Sequence, residues 1–203
     1  ADFLVEQLEG YDKISTFYEK ILKLPPAHYL VVDENGFRIR QYWALDAGRE
    51  IRFGSDEQYV EAFREIFSES VRCRLRGRKP VGMLLSGGID SATILATARR
   101  LDDSGNGLVA LSGVSPPDEE CIETRLIREV LNGTSLSSVQ VRSDSLTPYL
   151  QELDRAFGNM DDPNDAWMML HSVMYIEADR QEIRIVLDGI DADLVTSTTI
   201  HLS

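Results

Sequence analysis

Six consecutive residues, Ser86-Gly87-Gly88-Ile89-Asp90-Ser91, carry the chemistry most plainly. Two adjacent glycines let a backbone pass close to a ligand in conformations that side chains resist. Their N–H groups, with the free donors at the start of a following helix, form a concave positive nest that prefers phosphate or pyrophosphate. Ser86 and Ser91 add hydroxyl donors. Asp90 has the sign of charge that phosphate repels, so its natural task is to ligate a Mg²⁺ ion that bridges to the phosphates. A second set of acids, Asp188, Asp191 and Asp193, surrounds Gly189 farther along the chain. The plainer alternatives are a tight strand-to-helix turn in which Asp90 caps the helix, and three solvated loop acids. The motif is neither GxxxxGK[ST] nor GxGxxG.

The elements around these residues are expected to alternate. Val81-Gly82-Met83-Leu84-Leu85 reads as a short strand covered on both faces, because its apolar run is continuous and bounded by turn residues. Ser91 to Ala98 then reads as a helix. Leu108 to Val114 is a second buried strand, Glu119 to Leu131 a helix, and Ser138 to Val141 a short strand. Leu146 to Ala156 is helical with Pro148 near its first turn, and Pro163 introduces a long helix from about Ala166 to Asp179. Ile183 to Leu187 is a further strand.

Upstream, Tyr59, Phe63, Ile66, Phe67, Val71 and Leu75 recur at helical spacing from a cap at Ser55 or Asp56, so an amphipathic helix is expected to lay its apolar face on the sheet. Gly77 and Pro80 close that helix. His28 to Trp43 reads as a hairpin with its tight turn at Asn35-Gly36. Two strands alone are barely stable, which points to the tail of a preceding domain. Residues 1–18 are a helical or loop segment, and Pro25-Pro26 stops any helix before the hairpin.

Strands alternating with helices mean right-handed crossovers, a parallel sheet, and ligands beyond the carboxyl ends of its strands. Three strands end in candidate residues: Leu85-Ser86, Ser112-Gly113-Val114, and Asp188 to Asp193. The fold class is therefore α/β, a parallel sheet with helices on both faces, preceded by a short β-hairpin. The domains expected are residues 1–45, a hairpin remnant; 46–56, a linker; and 57–203, the nucleotide-binding part.

With 203 residues there is room for one full domain, or one domain and a piece of another, and 43% hydrophobic with 27% charged residues is globular composition. A net charge of −13 argues against a nucleic-acid surface. The basic run Arg72 to Lys79 reads as a solvated helix end. Cys73 and Cys121 have neither metal-ligand nor disulfide-framework spacing and are read as thiols of a reducing cytosol. His28, His171 and His201 are scattered and read as structural. No apolar run approaches the ~20 residues of a membrane span and no signal peptide opens the sequence, so a cytoplasmic protein is expected.

The Ser-Gly-Gly-Ile-Asp-Ser stretch resembles the pyrophosphate loop of the ATP pyrophosphatases, which split ATP into AMP and pyrophosphate while adenylating a substrate. The order of signatures resembles glutamine-hydrolysing asparagine synthetase from near the end of its glutaminase domain. Leu24-Pro25-Pro26-Ala27-His28-Tyr29 and Tyr42-Trp43 are similar to the family's glutaminase-end pattern, and Pro80 to Ser91 to its pyrophosphate loop. Val186 to Leu194 sits where the family has a Ser-Gly-Glu-Gly-Ser-Asp-Glu-like loop. The resemblance implies an adenine nucleotide alpha hydrolase-like, Rossmann-like fold.

It also implies that Ser86, Gly87, Gly88, Asp90 and Ser91 cradle the phosphates. Backbone at Leu85, Val114, Asp188 and Gly189 would hold the nucleotide. Asp90 and Asp193 are the implied Mg²⁺-linked catalytic aspartates. ATP and Mg²⁺ are the implied cofactors. The partners implied are small molecules (ATP, aspartate or a related carboxylate, and an amine or ammonia donor), with no nucleic acid and no membrane; a homodimer is the assembly considered.

The departures from the family are specific. The glutaminase nucleophile is an N-terminal Cys, whereas this sequence begins Ala1-Asp2, so glutamine hydrolysis is not expected of it. The family's Glu of the second loop falls on Ile190 and a Gly on Asp191. Its later helical part, with a catalytic Lys, falls beyond Ser203, so the synthetase-like domain is expected to be incomplete there. Three readings stay open: an asparagine synthetase-like amide ligase, a relative adenylating another carboxylate (β-lactam synthetase-like or peptide-cyclising), and a remnant that binds ATP without turnover.

Overall fold

A computed structural model describes residues 14–16, 18–46, 48–77, 79–102, 107–160, 168–190 and 192. The chain divides into two compact units, one running to Gly54 with a short return at Met160–Pro163, the other made of Ser55–Asn159 and Asn164–Ser203.

In the first unit, β1 (His28–Asp33) pairs antiparallel with β2 (Gly36–Gln41). Asp33 pairs with Gly36, so the two loop residues are Glu34 and Asn35, one position earlier than the Asn-Gly pattern indicates. The Asp33 carboxylate explains the shift: Oδ1 accepts the Asn35 N–H at 2.9 Å, closing the turn before Gly36 takes up a φ of +122° as the first residue of β2. Ser15 and Leu22 form an isolated bridge ahead of Pro25.

The second unit is α/β. After α1 (Asp56–Arg74) come β3 (Val81–Leu84), α2 (Ile89–Leu101), β4 (Leu108–Val114), α3 (Ile122–Leu131) and β5 (Ser137–Arg142). A 3₁₀ turn (Thr147–Tyr149), α4 (Leu150–Gly158), α5 (Met169–Arg180) and β6 (Ile185–Leu187) complete it. The sheet is parallel, in the order β5-β4-β3-β6. The chain winds outward from β3 through β4 to β5, then returns to add β6 on the other side of β3. The strand order therefore reverses next to β3, and ligands of open parallel sheets sit at such a switch point.

Alternation along the strands assigns the two faces. Val81, Met83, Leu85 and Ala110 pack with Val71 of α1, Leu95 and Ala98 of α2 and Ile127 of α3. Leu84, Val109, Leu111 and Val141 pack with Leu153 of α4 and with Val173, Met174 and Ala178 of α5. The central strands are buried on both faces, which is why they read as unbroken apolar runs. Each fully buried aliphatic side chain of this kind contributes about 1.5–3 kcal/mol.

Three sequence expectations change. Helix α2 begins at Ile89, ahead of Ser91, and α3 at Ile122, three residues after Glu119. Helix α1 lays only its C-terminal half on the sheet: Val71 is buried and Phe67 and Leu75 partly so, while Tyr59, Phe63 and Ile66 are exposed. Regular spacing gives a helix an apolar face, but the sheet is reached only by the end nearest the β3 connection. The stretch expected from Pro163 to Trp167 lies outside the described residues, and the helix itself follows as Met169–Arg180.

Candidate nucleotide site at the ends of three strands

The loop after β3 is held by its own hydrogen bonds. The Ser86 N–H donates to Ser91 Oγ at 3.2 Å, the two serine hydroxyls lie 3.1 Å apart, and Ser91 Oγ donates to the Gly88 carbonyl at 3.1 Å. Gly87 has a φ of +79°, and a Cβ there would stand 2.8 Å from Leu126 Cβ and 2.9 Å from the Glu123 carbonyl oxygen. Only glycine fits a positive φ pressed against backbone in this way. Gly87 therefore seats the loop on α3, and it does not line the cavity beside it.

The N-cap of α2 is Gly88, with φ −70° and ψ 161°, and no side chain caps the helix. Asp90 is the second helical residue, so it is not the cap that the plainer alternative requires. The first intrahelical bond runs from the Ala92 N–H to the Gly88 carbonyl at 3.1 Å. The N–H groups of Gly87, Ile89 and Asp90 have no partner among the described residues. A Ser, Thr or Asp cap would occupy one such donor; here they stay free at the positive end of the helix. The Asp90 carboxylate also has no hydrogen bond or ion pair among the described residues.

Beside the loop lies a cavity of about 440 Å³ lined by Leu85, Ser86, Gly88, Asp90 and Ser91 from β3 and α2. Gly113 of β4 and Asp188, Gly189 and Ile190 after β6 complete that edge, and Leu170, His171 and Met174 of α5 form a further wall. A Cβ on Gly113 would fall 2.3 Å from Leu170 Cδ2, so the glycine makes room for α5 over the end of β4. A Cβ on Gly189 would fall 3.4 Å from Asp90 Cβ and 3.6 Å from the Ser91 nitrogen, which puts the second loop directly against the start of α2. Asp188 Oδ1 accepts the Ile190 N–H at 3.2 Å. Burial first, with the nearby Asp188 charge second, raises the Tyr175 phenol above its ordinary range.

Most of the expected residues thus converge. Val114 does not: it is buried, its carbonyl accepts the Ser143 N–H at 2.9 Å, and it lines a separate cavity of about 270 Å³ with Ser115, Thr124 and Arg142. Gly113 occupies the main cavity in its place. Asp191 and Asp193 lie outside the described residues.

His171 departs from its reading as a structural residue, since it lines the main cavity with its Nδ1 buried and unpartnered among the described residues. The missed signal is topological. A crossover helix that returns along a parallel sheet begins at the carboxyl ends of the strands, so the first turns of α5 reach the site. Cys73 and Cys121 are both exposed free thiols. Cys121 is the N-cap of α3, where the Thr124 hydroxyl above all, with Ser115, holds its thiol below the ordinary range.

The residues fit a Mg²⁺ site of the kind completed by phosphates. Among the described residues no three metal-ligating groups cluster, and Mg²⁺ commonly takes one or two carboxylates plus substrate phosphates. Asp90, with both oxygens free beside an anion-receptive turn, supplies that donor.

Strand order and the cavity at the switch point define a parallel α/β protein with its candidate site at the carboxyl ends of the strands. The asparagine synthase family model matches residues 62–198, and the chain belongs to that family. It is 32% identical over 112 residues to the amidase chry2 of Gibberella zeae, a match covering 53% of this chain and 16% of the amidase. It is 30% identical over 105 residues to asparagine synthetase 2 (glutamine-hydrolysing) of Bacillus subtilis, covering 48% of this chain and 14% of the relative. Among solved structures it is similar to glutamine-dependent NAD⁺ synthetase of Acinetobacter baumannii in complex with ADP, at a TM-score of 0.42 and 15% identity, over 82% of this chain and 31% of that one. The chain matches about a sixth of the length of its curated relatives. Among the described residues no helix is long and apolar enough to cross a membrane.

Proposed function

We propose that this chain carries the nucleotide site of an ATP-dependent amide-forming ligase, which adenylates a carboxylate and passes the acyl group to an amine or ammonia. One observation carries the reading: the N-terminus of α2 is capped by a glycine and, among the described residues, its donors and the neighbouring Asp90 carboxylate have no partner. Membership of the asparagine synthase family supports the reading. Residues 1–45 are proposed as the end of a glutaminase-like domain, and 57–203 as synthetase-like.

An oxygen of the substrate carboxylate attacks the α-phosphorus of ATP, and the bond to the departing pyrophosphate breaks. The amine nitrogen then attacks the acyl carbon, the carbon–oxygen bond to AMP breaks, and the nitrogen loses a proton. The N–H groups of Gly87, Ile89 and Asp90 and the Ser86 hydroxyl hold the phosphates and balance charge gathering on pyrophosphate. Asp90, with Asp193, would hold Mg²⁺, which would supply Lewis-acid neutralisation of the phosphate oxygens. Leu85 and Gly113 abut the nucleotide, and Asp188 and Gly189 close over the start of α2. Val114 is proposed to meet the nucleotide through the smaller cavity.

The family favours aspartate or a related acid as substrate. Ile190, standing in the cavity where the family has a Glu, favours the second reading, a relative acting on another carboxylate.

Titration calorimetry with ATP and Mg²⁺, repeated on Asp90→Ala, tests the site. Mg²⁺-dependent binding that weakens at least about tenfold in the variant is expected, followed by acid-dependent release of pyrophosphate. A folded protein that ignores ATP, or binds it equally without Mg²⁺ and without Asp90, would sink the reading.

A further inference from the structure

The main cavity has two flanks around the loop after β3. On the side of β6, Gly189 stands against Asp90 and the start of α2. On the side of β4, Leu170 packs against Gly113, which brings the first turn of α5 over the end of that strand. One cavity runs from Gly88 and Asp90 to this α5 flank, so a ligand whose phosphates rest on α2 continues toward it.

The α5 flank carries a polar ring within aliphatic and thioether surroundings. Leu85 and Met174 are buried and Leu170 is partly so, each held by packing in the core. His171 is next to Leu170 in the helix and one turn from Met174, and it lines the same cavity. Its Nδ1 is buried and has no hydrogen-bond partner among the described residues. Buried polar atoms are nearly always partnered, and an exception calls for a cause such as a ligand, an ordered water or a catalytic task. The ring turns softly about its Cβ–Cγ bond, and either nitrogen donates or accepts according to the tautomer. Such a group suits a ligand edge that offers both donors and acceptors.

A purine has that combination. Its faces leave water against aliphatic and thioether surface, while the ring nitrogens and exocyclic group along its edge need partners. We propose that His171 is a nucleoside-recognition residue. It hydrogen-bonds the edge of a purine packed on Leu85, Leu170 and Met174, and so sets a preference for a nucleotide over a bare polyphosphate. The proposal rests on the nucleotide reading above and gives the base an anchor separate from the phosphate loop.

Calorimetry in Mg²⁺ compares ATP with inorganic tripolyphosphate, which keeps the phosphate contacts and lacks the base. ATP is expected to bind at least about tenfold more tightly. His171→Leu keeps apolar volume and removes both ring nitrogens; it is expected to weaken ATP by about tenfold and to leave tripolyphosphate within about twofold. His171→Asn sets an amide near the place of Nδ1 and is expected to recover most of that loss. A merely structural role would weaken both ligands together. A further readout uses the unaltered protein: the imidazole nitrogen signals of His171, assigned through its backbone, are expected to move with ATP and to stay with tripolyphosphate. Equal affinity for the two ligands, equal losses in His171→Leu, or an imidazole that ignores ATP overturns the proposal and leaves the phosphate site standing. If the folded protein binds neither ligand, the nucleotide reading falls first, and the proposal with it.

Discussion

The loops after β3 and after β6 meet at the same cavity, yet they are built differently. The first follows a strand buried on both faces, is tied by four hydrogen bonds between Ser86, Gly88 and Ser91, and is seated on α3 through Gly87. The second follows a half-buried edge strand and is held by the Asp188–Ile190 turn and the contact of Gly189 with α2, with the Tyr175 phenol near the Asp188 charge. The first loop's geometry is its function, because its donors are backbone. The second offers side chains, and that is where Asp188, Ile190 and Asp191 leave the family's pattern. The proposed phosphate contacts fall on the backbone of the first loop, and the departures from the family fall on side chains of the second.

The sharpest way to break the comparison is at Gly87. Gly87→Ala forces a side chain into positive φ and into the Glu123 carbonyl, so about 3 kcal/mol of stability is expected to go together with ATP binding. Urea denaturation and calorimetry on one sample measure both. A stable variant that has lost only ATP affinity would show that the loop is not seated through α3.

How much of this was legible follows from how local each cause is. Val81 to Leu85 and Leu108 to Val114 announce themselves because both sheet faces are covered, and the Gly-Gly turn because its conformation excludes other residues. The register of the Glu34-Asn35 loop was hidden, since an Asp33 side-chain bond decides it. Periodicity in α1 gave the apolar face but not how far the sheet reaches beneath it. The place of His171 depends on helix direction across a crossover, and the facing of Gly113 and Val114 into different cavities on alternation at the last residues of β4. Neither is visible in spacing alone.

A milder change sharpens the contrast at the second loop. Gly189 has no positive φ, and the Cβ of Gly189→Val would meet Ile94 Cδ1 at 3.2 Å, Asp90 Cβ at 3.4 Å and the Ser91 nitrogen at 3.6 Å. The flexible Ile94 end gives way, and a stability cost of about 1 kcal/mol is expected. Asp90 is pushed from its place, so Mg²⁺·ATP affinity should fall by about tenfold with the fold intact. Equal losses in stability and binding would mean that the second loop is as structural as the first.

The smallest effect tests what holds the second loop. Burial and the Asp188 carboxylate both favour the neutral phenol of Tyr175, so the folded protein keeps this proton more tightly than the unfolded chain does. The stabilisation is therefore fully present below the unfolded value of about pH 10 and drains away as pH rises through the higher folded value. Tyr175→Phe removes the proton and the interaction with the Asp188 carboxylate together. Its stability at pH 7 is expected within about 1 kcal/mol of the parent, and its loss between neutral and alkaline pH should be shallower. Denaturation curves at pH 7, 10 and 11 decide the matter, because the remaining tyrosines titrate in both proteins and cancel in the difference. If the two decline in parallel, Asp188 is held by its turn with Ile190 alone, and the second loop owes nothing to α5.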